Sequence, residues 1–558
     1  MTLRRQAPIG PPLASTVRCR PVGRVGGVLG RSADTSALAR ALGPNAQVLG
    51  ADDTDLVVDW DSCWLDGTPV ESRERWQALL AAGRLAEVEG AFALGWRGAD
   101  GTLTLARDAP GERTLFYAPL ANGIVFASSL RAVLATGQVP RCLHLPAIAT
   151  YLSYAYLPGR ETLVAGVYEL LPGELVVWHQ GELTRRAFWS LPSGDPQPRG
   201  EEDLRTELRR CLEVAVQRRL PGSETIGAAL SGGIDSSLVV ALARQHAPVK
   251  TFSISFGQGY ANEIAFSSLV AEHCQSQHYI LDLSPAAILH YLDETIAWLS
   301  DPNGDPLTVP NALLFREAAS EVAVVLNGEG GDPCFGGPKN VPMLLAELYD
   351  QGDSVRERSY LRAHLKCYDD LDQMLTPAVC DALAQMPLEA TLTPWLHDAR
   401  WPHFLSRLQA INITFKGAHH ILPKVDALSA VSGVLPRSPL FDRPLVALSC
   451  TIPPQLKLKG AVEKYLLKEA GRDLLPQTII ERPKSGMLVP VESWFQGPLL
   501  PAARERLLDG LAVWGVVQQD YLHRLLDGRH GGLRPRRGAK IWLLLTLEAW
   551  LRQHLSGP

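Results

Sequence analysis

A glycine-rich turn between a predicted strand and a predicted helix constrains the fold of this 558-residue chain more than any other feature of its sequence. Apolar runs predict a strand over residues 225–230 and a helix over residues 237–246. The turn between them reads Leu230, Ser231, Gly232, Gly233, Ile234, Asp235, Ser236 and Ser237. Glycines let a backbone approach an anion closely, and the free N–H groups at the start of a helix favour negative charge. We therefore expect a phosphate-binding loop here, in preference to an ordinary glycine-rich turn.

Asp235 and a second acidic segment indicate that the bound phosphate carries Mg²⁺. A carboxylate repels bare phosphate, so Asp235 fits the loop best as a ligand of Mg²⁺ that bridges phosphate oxygens. A predicted strand over residues 322–326 is followed by the glycine-rich segment 327–337. This segment lies at the carboxyl end of a strand, where open α/β sheets build their sites. In it, Asp332 is the candidate second Mg²⁺ ligand and Glu329 a candidate base or orienter near a reacting carboxyl, whereas a flexible loop with solvated acids is the alternative.

The pattern of predicted elements divides the chain into two folded parts. Short strands such as 91–96 and 103–106, separated by turn signals, predict an antiparallel, sandwich-like α+β domain. Alternating strands and helices later in the chain predict an α/β domain with a parallel sheet. The predicted boundaries are an irregular extension over 1–23, the sandwich domain over 24–192, a Pro- and Gly-rich linker over 193–203 and the α/β domain over 204–558.

The composition argues against nucleic-acid and membrane partners. The formal net charge of −5 provides no basic field for nucleic acid. No apolar run reaches the length of a bilayer, and no apolar stretch typical of a secretion signal follows the first residues. The nine cysteines are scattered, which argues against a disulfide framework or a structural zinc site. We expect a cytoplasmic protein whose partners are small molecules or peptides.

The two glycine-rich segments together resemble a known family. Residues 231–236 resemble the S-G-G-x-D-S pyrophosphate loop of the ATP pyrophosphatases, which cleave ATP between its α- and β-phosphates. Residues 327–338 resemble the S-G-[ED]-G-[AGS]-D-E-x-F-G-G-Y segment of the asparagine synthetase superfamily. The chain departs from that segment at Asn327, Pro333 and Pro338.

Four later segments extend the resemblance over about residues 205–550. They are 424–426 (K-V-D), 437–442 (R-S-P-L-F-D), 464–468 (K-Y-L-L-K) and 482–487 (R-P-K-S-G-M). The resemblance implies that a carboxylate is activated as its adenylate, with ATP and Mg²⁺ as cofactors. It implies that Lys484 contacts the acyl-adenylate, where a cation stabilises developing charge, and we expect catalysis from Lys484 and Glu329. The expected nucleotide-binding residues are Leu230, Ser231, Gly232, Gly233, Asp235, Ser236, Ser237 and Gly328, and the expected metal ligands are Asp235 and Asp332.

The first half of the chain resembles the glutaminase domain that precedes the synthetase in this family. Residues 107–113 resemble its R-D-x-x-G-x-[KR] segment, and residues 126–132 resemble F-A-S-E-x-K-A. Working domains of this N-terminal-nucleophile type begin with a cysteine whose own amino group acts as the base. Gly26 holds the cysteine position here, and Thr2 and Cys19 are poor substitutes. We therefore expect a degenerate domain without glutaminase activity, and we expect His419 and His420 to be a packing feature.

Loss of the ammonia source favours family members that take an amine already present in the substrate. These include β-lactam, carbapenam and lasso-peptide macrolactam synthetases, and the resemblance is interpreted as a lasso-peptide-type cyclase. Such an enzyme would take a precursor peptide, together with the protease or leader-binding protein that delivers it. Asparagine synthetase, using free ammonia or glutamine, is the alternative within the family. A catalytically dead scaffold that binds a precursor peptide and a tRNA-modifying ATP pyrophosphatase are alternatives of other classes.

Overall fold

The computed structural model describes residues 2–6, 24–30, 35–43, 46–50, 55–194, 199–222, 224–337, 356–483, 486–529 and 536–556. Three residues that carry interpretations above lie outside these ranges, namely Cys19, Pro338 and Lys484.

A six-stranded parallel sheet forms the centre of the second domain. Its strands, in spatial order, are Thr2–Gln6, Gln277–Asp282, Val249–Ser255, Ile226–Ala229, Val324–Leu326 and Leu435–Arg437. Every neighbouring pair runs parallel. The central strands are buried, as expected where helices cover both faces of a sheet. This arrangement confirms the predicted α/β domain.

Helices fill the rest of the second domain. The α-helices are Glu201–Gln217, Ile234–Arg244, Ile264–His273, Pro285–Ile296, Thr308–Ala319, Gly331–Phe335, Arg356–Ala363, Leu371–Met374, Pro377–Ala384, Leu388–Leu396, Phe404–Ile411, Leu422–Ser432, Arg443–Thr451, Pro454–Lys457, Tyr465–Ala470, Gln477–Glu481, Val491–Trp494, Leu500–Glu505, Gln519–Leu526 and Arg537–His554. Short 3₁₀-helices are Tyr368–Asp370, Pro439–Phe441 and Leu511–Trp514, and π-helices are Asn412–Ile421 and Arg506–Gly510. A small antiparallel pair joins Leu458–Lys459 to Val462–Glu463. Among the described helices, none has the length and apolar character needed to span a bilayer.

Two packed sheets form the first domain. One has the strand order Tyr168–Glu169, Phe116–Leu120, Gly123–Ala127, Val25–Gly30 and Gln47–Leu49. The other has the order Glu182–Ala187, Glu174–His179, Leu103–Arg107, Glu89–Arg97, Leu56–Leu65 and Thr68–Pro69. The pairings are antiparallel except the one between Val25–Gly30 and Gln47–Leu49. Its helices are Thr35–Leu42, Arg73–Ala81, Leu85–Glu87 (3₁₀), Leu130–Ala135 and Leu145–Tyr154. The predicted sandwich-like domain is confirmed.

Two boundaries differ from the expectation. Residues 2–6 are not irregular, because they add an edge strand to the sheet of the second domain, with Thr2 opposite His278. The guanidinium of Arg5 pairs with Glu317 and Glu321, so ion pairs rather than an apolar run hold this strand. The linker also ends earlier than residue 203, since a helix begins at Glu201 with three acidic residues in its first turn. Acidic side chains stabilise a helix start, which explains the earlier boundary.

The two domains share a continuous interior. One apolar cluster includes Phe116 and Val125 of the first domain together with Phe252, Ile254 and Leu313 of the second. Buried ion pairs cross the same boundary: Arg24 with Asp426, Arg113 with Asp426, Arg219 with Glu112, and Arg437 with Asp61. Side chains of the first domain therefore pack directly against the interior of the second.

Candidate active site

The predicted phosphate-binding loop joins the strand Ile226–Ala229 to the helix Ile234–Arg244. Gly232 has a φ of +77°, and a Cβ atom there would lie 2.5 Å from the backbone nitrogen of Ser267. Only glycine fits this position. The Gly233 N–H donates to Ser231 Oγ at 3.2 Å, and the Ser231 N–H donates to Ser236 Oγ at 3.2 Å. The loop is therefore held by hydrogen bonds that involve its own serines.

The second glycine-rich segment packs directly on this loop. A Cβ atom on Gly328 would lie 2.5 Å from the backbone nitrogen of Ser236. A Cβ atom on Gly331 would lie 2.1 Å from Oδ1 of Asp235. Glycine at both positions thus permits the contact between the segments. The consequence is that Asp235 and Asp332 come together at one place, although they are distant in sequence.

Lys464 lies between these two carboxylates. Its Nζ is 2.5 Å from Oδ2 of Asp235 and 2.5 Å from Oδ1 of Asp332. The lysine side chain is only 1% exposed, and its backbone is left-handed, with a φ of +54°. Lys464 begins the segment 464–468, which resembles the family, but the sequence alone indicates no role for this lysine. A buried cation between two acids at a phosphate loop can neutralise a leaving phosphate as well as the acids.

Two carboxylates that share one cation also suit Mg²⁺, which often takes one or two carboxylates and completes its shell with phosphate oxygens and water. In the part of the chain that the structure describes, no group of three or more His, Cys, Asp or Glu side chains forms a metal cage. Asp235 and Asp332 could together hold a Mg²⁺ ion that also binds phosphate oxygens.

Arg482, the arginine before the predicted catalytic lysine, contacts the phosphate loop. Its Nη1 donates to the carbonyl of Gly232 at 3.3 Å, and it forms an ion pair with Glu263. The guanidinium carbon lies 3.8 Å from the centre of the Phe266 ring. Lys484 itself lies outside the described residues. The contact of Arg482 was not anticipated, although its basic segment could have suggested it.

The predicted base, Glu329, is partly buried beside a charged pair. Its N–H donates to the side-chain oxygen of Asn327 at 3.0 Å, so the asparagine that replaces the family's serine still closes the turn. Lys424 is buried and lies 2.8 Å from Asp305. Burial lowers the pKa of Lys424, but Asp305 and then Glu329 raise it above its usual value. Burial alone would raise the pKa of Asp305. The charge of Lys424 outweighs that effect and holds the pKa of Asp305 well below its usual range.

The two histidines of the Asn412–Ile421 π-helix face different partners. Nδ1 of His419 lies 2.7 Å from Glu169 of the first domain. Nε2 of His420 lies 3.1 Å from the side-chain oxygen of Asn303, and its ring stacks on Tyr156 at a centroid distance of 4.7 Å. Both histidines thus hold neighbouring elements, one across the domain boundary.

Gly26, which the resemblance places at the nucleophile position of the glutaminase domain, is enclosed by protein. Gly26 lies inside the strand Val25–Gly30, and the Val25 N–H donates to Ser128 Oγ at 3.0 Å. Arg24 is buried, with Nη1 at 2.5 Å from Asp426 Oδ2 and Nη2 donating to the Asp426 carbonyl at 2.8 Å. Thr2 lies on the sheet of the other domain. Neither Gly26 nor Thr2 therefore supplies an N-terminal nucleophile in this domain.

Comparison with known proteins gives matches over both domains. A family model described as asparagine synthase matches residues 207–552, and one described as a glutamine amidotransferase domain matches residues 78–189. Asparagine synthetase [glutamine-hydrolyzing] 1 of Bacillus subtilis is 26% identical over 495 residues, which cover 83% of this chain and 77% of that protein. A putative asparagine synthetase of Mycobacterium tuberculosis is 27% identical over 501 residues, covering 82% and 76%. Amidase chyE of Penicillium rubens is 24% identical over 485 residues, covering 74% and 71%.

Proposed function

Because the chain belongs to the asparagine synthase family and is an ATP-dependent, AMP-forming carbon–nitrogen ligase, we propose that it joins a carboxylate to an amine carried by its own substrate. The observation that carries this proposal is the closed glutaminase position. Gly26 has no thiol and lies inside a strand, and Arg24 ahead of it is tied to Asp426. Because glycine replaces the cysteine at this position, we infer that the domain does not release ammonia from glutamine.

In the proposed first step, a substrate carboxylate oxygen attacks the α-phosphorus of ATP. The bond between that phosphorus and the bridging oxygen breaks, and pyrophosphate leaves with the bonding electrons. The N–H groups of residues 231–237 and the start of the helix Ile234–Arg244 bind the departing anion. Lys464 adds a buried positive charge next to it. Asp235 and Asp332 would hold Mg²⁺, which when bound neutralises phosphate charge.

In the proposed second step, the amine nitrogen attacks the acyl carbon of the adenylate and AMP leaves. Glu329 accepts the proton that the nitrogen loses, and Lys484 stabilises the negative charge on the tetrahedral intermediate. Burial of the site limits the access of water, which would hydrolyse the adenylate.

The proposed substrate is a peptide, in which an Asp or Glu side chain is joined to the peptide's own amino terminus. The departures at Asn327, Pro333 and Pro338 from the asparagine synthetase pattern support a changed substrate. The second candidate is the amidation of aspartate with free ammonia. The names of two bacterial relatives, both glutamine-hydrolysing asparagine synthetases, support aspartate as the carboxylate but not free ammonia as the nitrogen source.

The test is a comparison of substrates with the full-length protein and Mg-ATP. Pyrophosphate release and product masses are measured with aspartate plus ammonium, with aspartate plus glutamine, and with peptides that carry an acidic side chain and a free amino terminus. We expect a peptide product that has lost one water, formed with one pyrophosphate. Asparagine formed from ammonium would establish the second candidate instead. Asparagine formed from glutamine would contradict the assignment of Gly26.

A matched pair of lysine variants ties the activity to this site. Lys464→Met should lower pyrophosphate release at least about 100-fold, because Asp235 and Asp332 lose their shared cation. Lys459→Met is the control, since Lys459 is half exposed and pairs with Glu201 on the surface. Equal loss in both variants, or none in Lys464→Met, would contradict the proposed role of Lys464.

A further inference from the structure

Three buried side chains, Arg107, Glu169 and His419, form a polar link between the first domain and the second. Arg107 Nη1 donates to Oε1 of Glu169 at 2.8 Å, and Oε2 of Glu169 lies 2.7 Å from Nδ1 of His419. The side chains of Arg107 and His419 are fully buried, and that of Glu169 nearly so. Burial raises the pKa of Glu169, but Arg107 and then His419 outweigh it and hold that pKa below its usual value. The link therefore contains a carboxylate that stays charged.

The link ends on an unusual helix. His419 belongs to the ten-residue π-helix Asn412–Ile421, and long π-helices are rare because their backbone geometry is unfavourable. Arg107 Nη2 also donates to the carbonyl of Ala418 at 2.9 Å. On another side of this helix, a Cβ atom on Gly417 would lie 2.9 Å from the Phe441 ring, so the helix is closely packed there. The first domain thus supplies polar contacts that the π-helix uses to keep its shape.

A second contact between the domains lies just beyond the π-helix. Asp426 accepts from Arg24 at 2.5 Å and from the Thr114 hydroxyl at 3.3 Å. Lys424 lies between the two contacts in sequence, with its Nζ at 2.8 Å from Asp305 and its charge coupled to Glu329. The first domain therefore holds the backbone on both sides of Lys424.

We propose that Glu169, acting through His419, is a positioning residue for amide formation, because it holds the π-helix that sets Lys424 beside Glu329. This inference rests on the proposed ligase function and gives the glutaminase-like domain a task in it. Glu169 lies in the first domain and contacts Arg107 and His419, so we expect its effect to pass through the position of the π-helix. A displacement of about 1 Å at a reacting group can lower a rate about 100-fold, so a loosened π-helix should slow turnover.

Substitutions at the link test the proposal, with turnover as the readout. In Glu169→Gln both partners lose the negative charge, and one of them faces an NH2 group in place of an acceptor oxygen. We expect kcat for amide formation to fall at least about tenfold. The KM for ATP should change less than about twofold, because the phosphate loop is held by separate contacts. Glu89→Gln is the matched control, since it breaks the ion pair with Arg218 across the same boundary but away from the π-helix. Equal kcat in Glu169→Gln and Glu89→Gln would overturn the proposal.

Two histidine substitutions separate positioning from a direct role of the ring. The amide nitrogen of an asparagine takes the place of Nδ1, and that of a glutamine takes the place of Nε2. His419→Asn should therefore retain most of the activity that His419→Leu loses, whereas His419→Gln should not. Nε2 of His419 has no partner among the described residues and lines a cavity between the domains. Retention in His419→Gln but not in His419→Asn would mean that the cavity side of the ring acts, and would overturn the proposal.

Hydrogen exchange gives a readout that needs no substrate. Amides of residues 412–424 should exchange at least about tenfold faster in Glu169→Gln than in the parent protein or in Glu89→Gln. Unchanged exchange in that segment would overturn the inference even if the ligase activity is as proposed. Faster exchange in Glu169→Gln, together with no pyrophosphate release by the parent protein with any substrate, would retain the contact between Glu169 and the π-helix and reject the ligase function. The two failures are therefore distinguishable.

Discussion

Three carboxyl groups at the domain boundary are buried strongly enough to change their affinity for protons. Burial raises the pKa of Asp301 to about 8, and the hydrogen bond that the Leu163 N–H donates to Oδ1 of Asp301 at 3.0 Å opposes this shift. Burial also raises the pKa of Asp59 to about 6 and of Glu112 to about 7, although Arg113 and Arg219 oppose these shifts. Such groups tie the stability of the boundary to pH.

Asp301→Asn should remove part of this dependence. Because the folded-state pKa of Asp301 is raised, its favourable contribution is complete below the unfolded value of 3.8 and is lost as the pH rises through about 8. The neutral amide copies the protonated carboxyl, so the variant should match the parent near pH 4 and unfold at a higher temperature at pH 8.5. Thermal unfolding at the two pH values checks this. A variant that is less stable than the parent at pH 8.5 would contradict the assignment.

At the scale of residues, the acids of the site could be predicted and their common partner could not. Asp235 and Asp332 each follow a strand in a glycine-rich segment, and that local pattern is enough to indicate a phosphate site. Lys464 joins them through a left-handed turn far along the chain, and no local pattern indicates that contact. The link between Glu169 and His419 spans two domains and has no sequence signal at all.

At the scale of elements, the glycine-rich segments interlock, and this gives a direct test. Gly331→Ala should force Asp235 away from Lys464, because the new Cβ atom would lie 2.1 Å from Asp235 Oδ1. We expect at least about a 100-fold loss of pyrophosphate release, measured with the substrate that the parent protein turns over. Gly259→Ala is the control, since a Cβ atom there meets nothing within 4 Å. Full activity in Gly331→Ala would contradict the contact between the two segments.

The parallel sheet could be predicted from the periodicity of the sequence, whereas two short edge strands and the π-helix could not. Alternating strands and helices in the second domain indicated a parallel sheet, and the structure confirms it. The edge strands Thr2–Gln6 and Leu435–Arg437 are short and are formed by pairing with distant strands, so composition does not reveal them. The π-helix Asn412–Ile421 is read from sequence as an ordinary helix, because a bond from i to i+5 has no residue pattern of its own.

At the scale of the whole molecule, the two domains form one packed body with an active site in the second. The first domain is matched by a glutamine amidotransferase model over residues 78–189, and its buried side chains bind the second domain. The reaction class could be predicted from the sequence because phosphate loops have local signatures. The identity of the amine substrate could not be predicted, because substrate pockets are built from side chains that only tertiary structure brings together.

The most direct test of the account is isotope transfer from the carboxylate substrate. The substrate that supports pyrophosphate release is prepared with ¹⁸O in its carboxyl group, and the products of a reaction with Mg-ATP are analysed by mass spectrometry. Activation as an adenylate predicts AMP that contains one ¹⁸O atom, since the bond broken in the second step leaves a carboxylate oxygen on phosphorus. ADP together with ¹⁸O in inorganic phosphate would indicate an acyl phosphate instead, and would contradict the proposed use of the loop at residues 230–237.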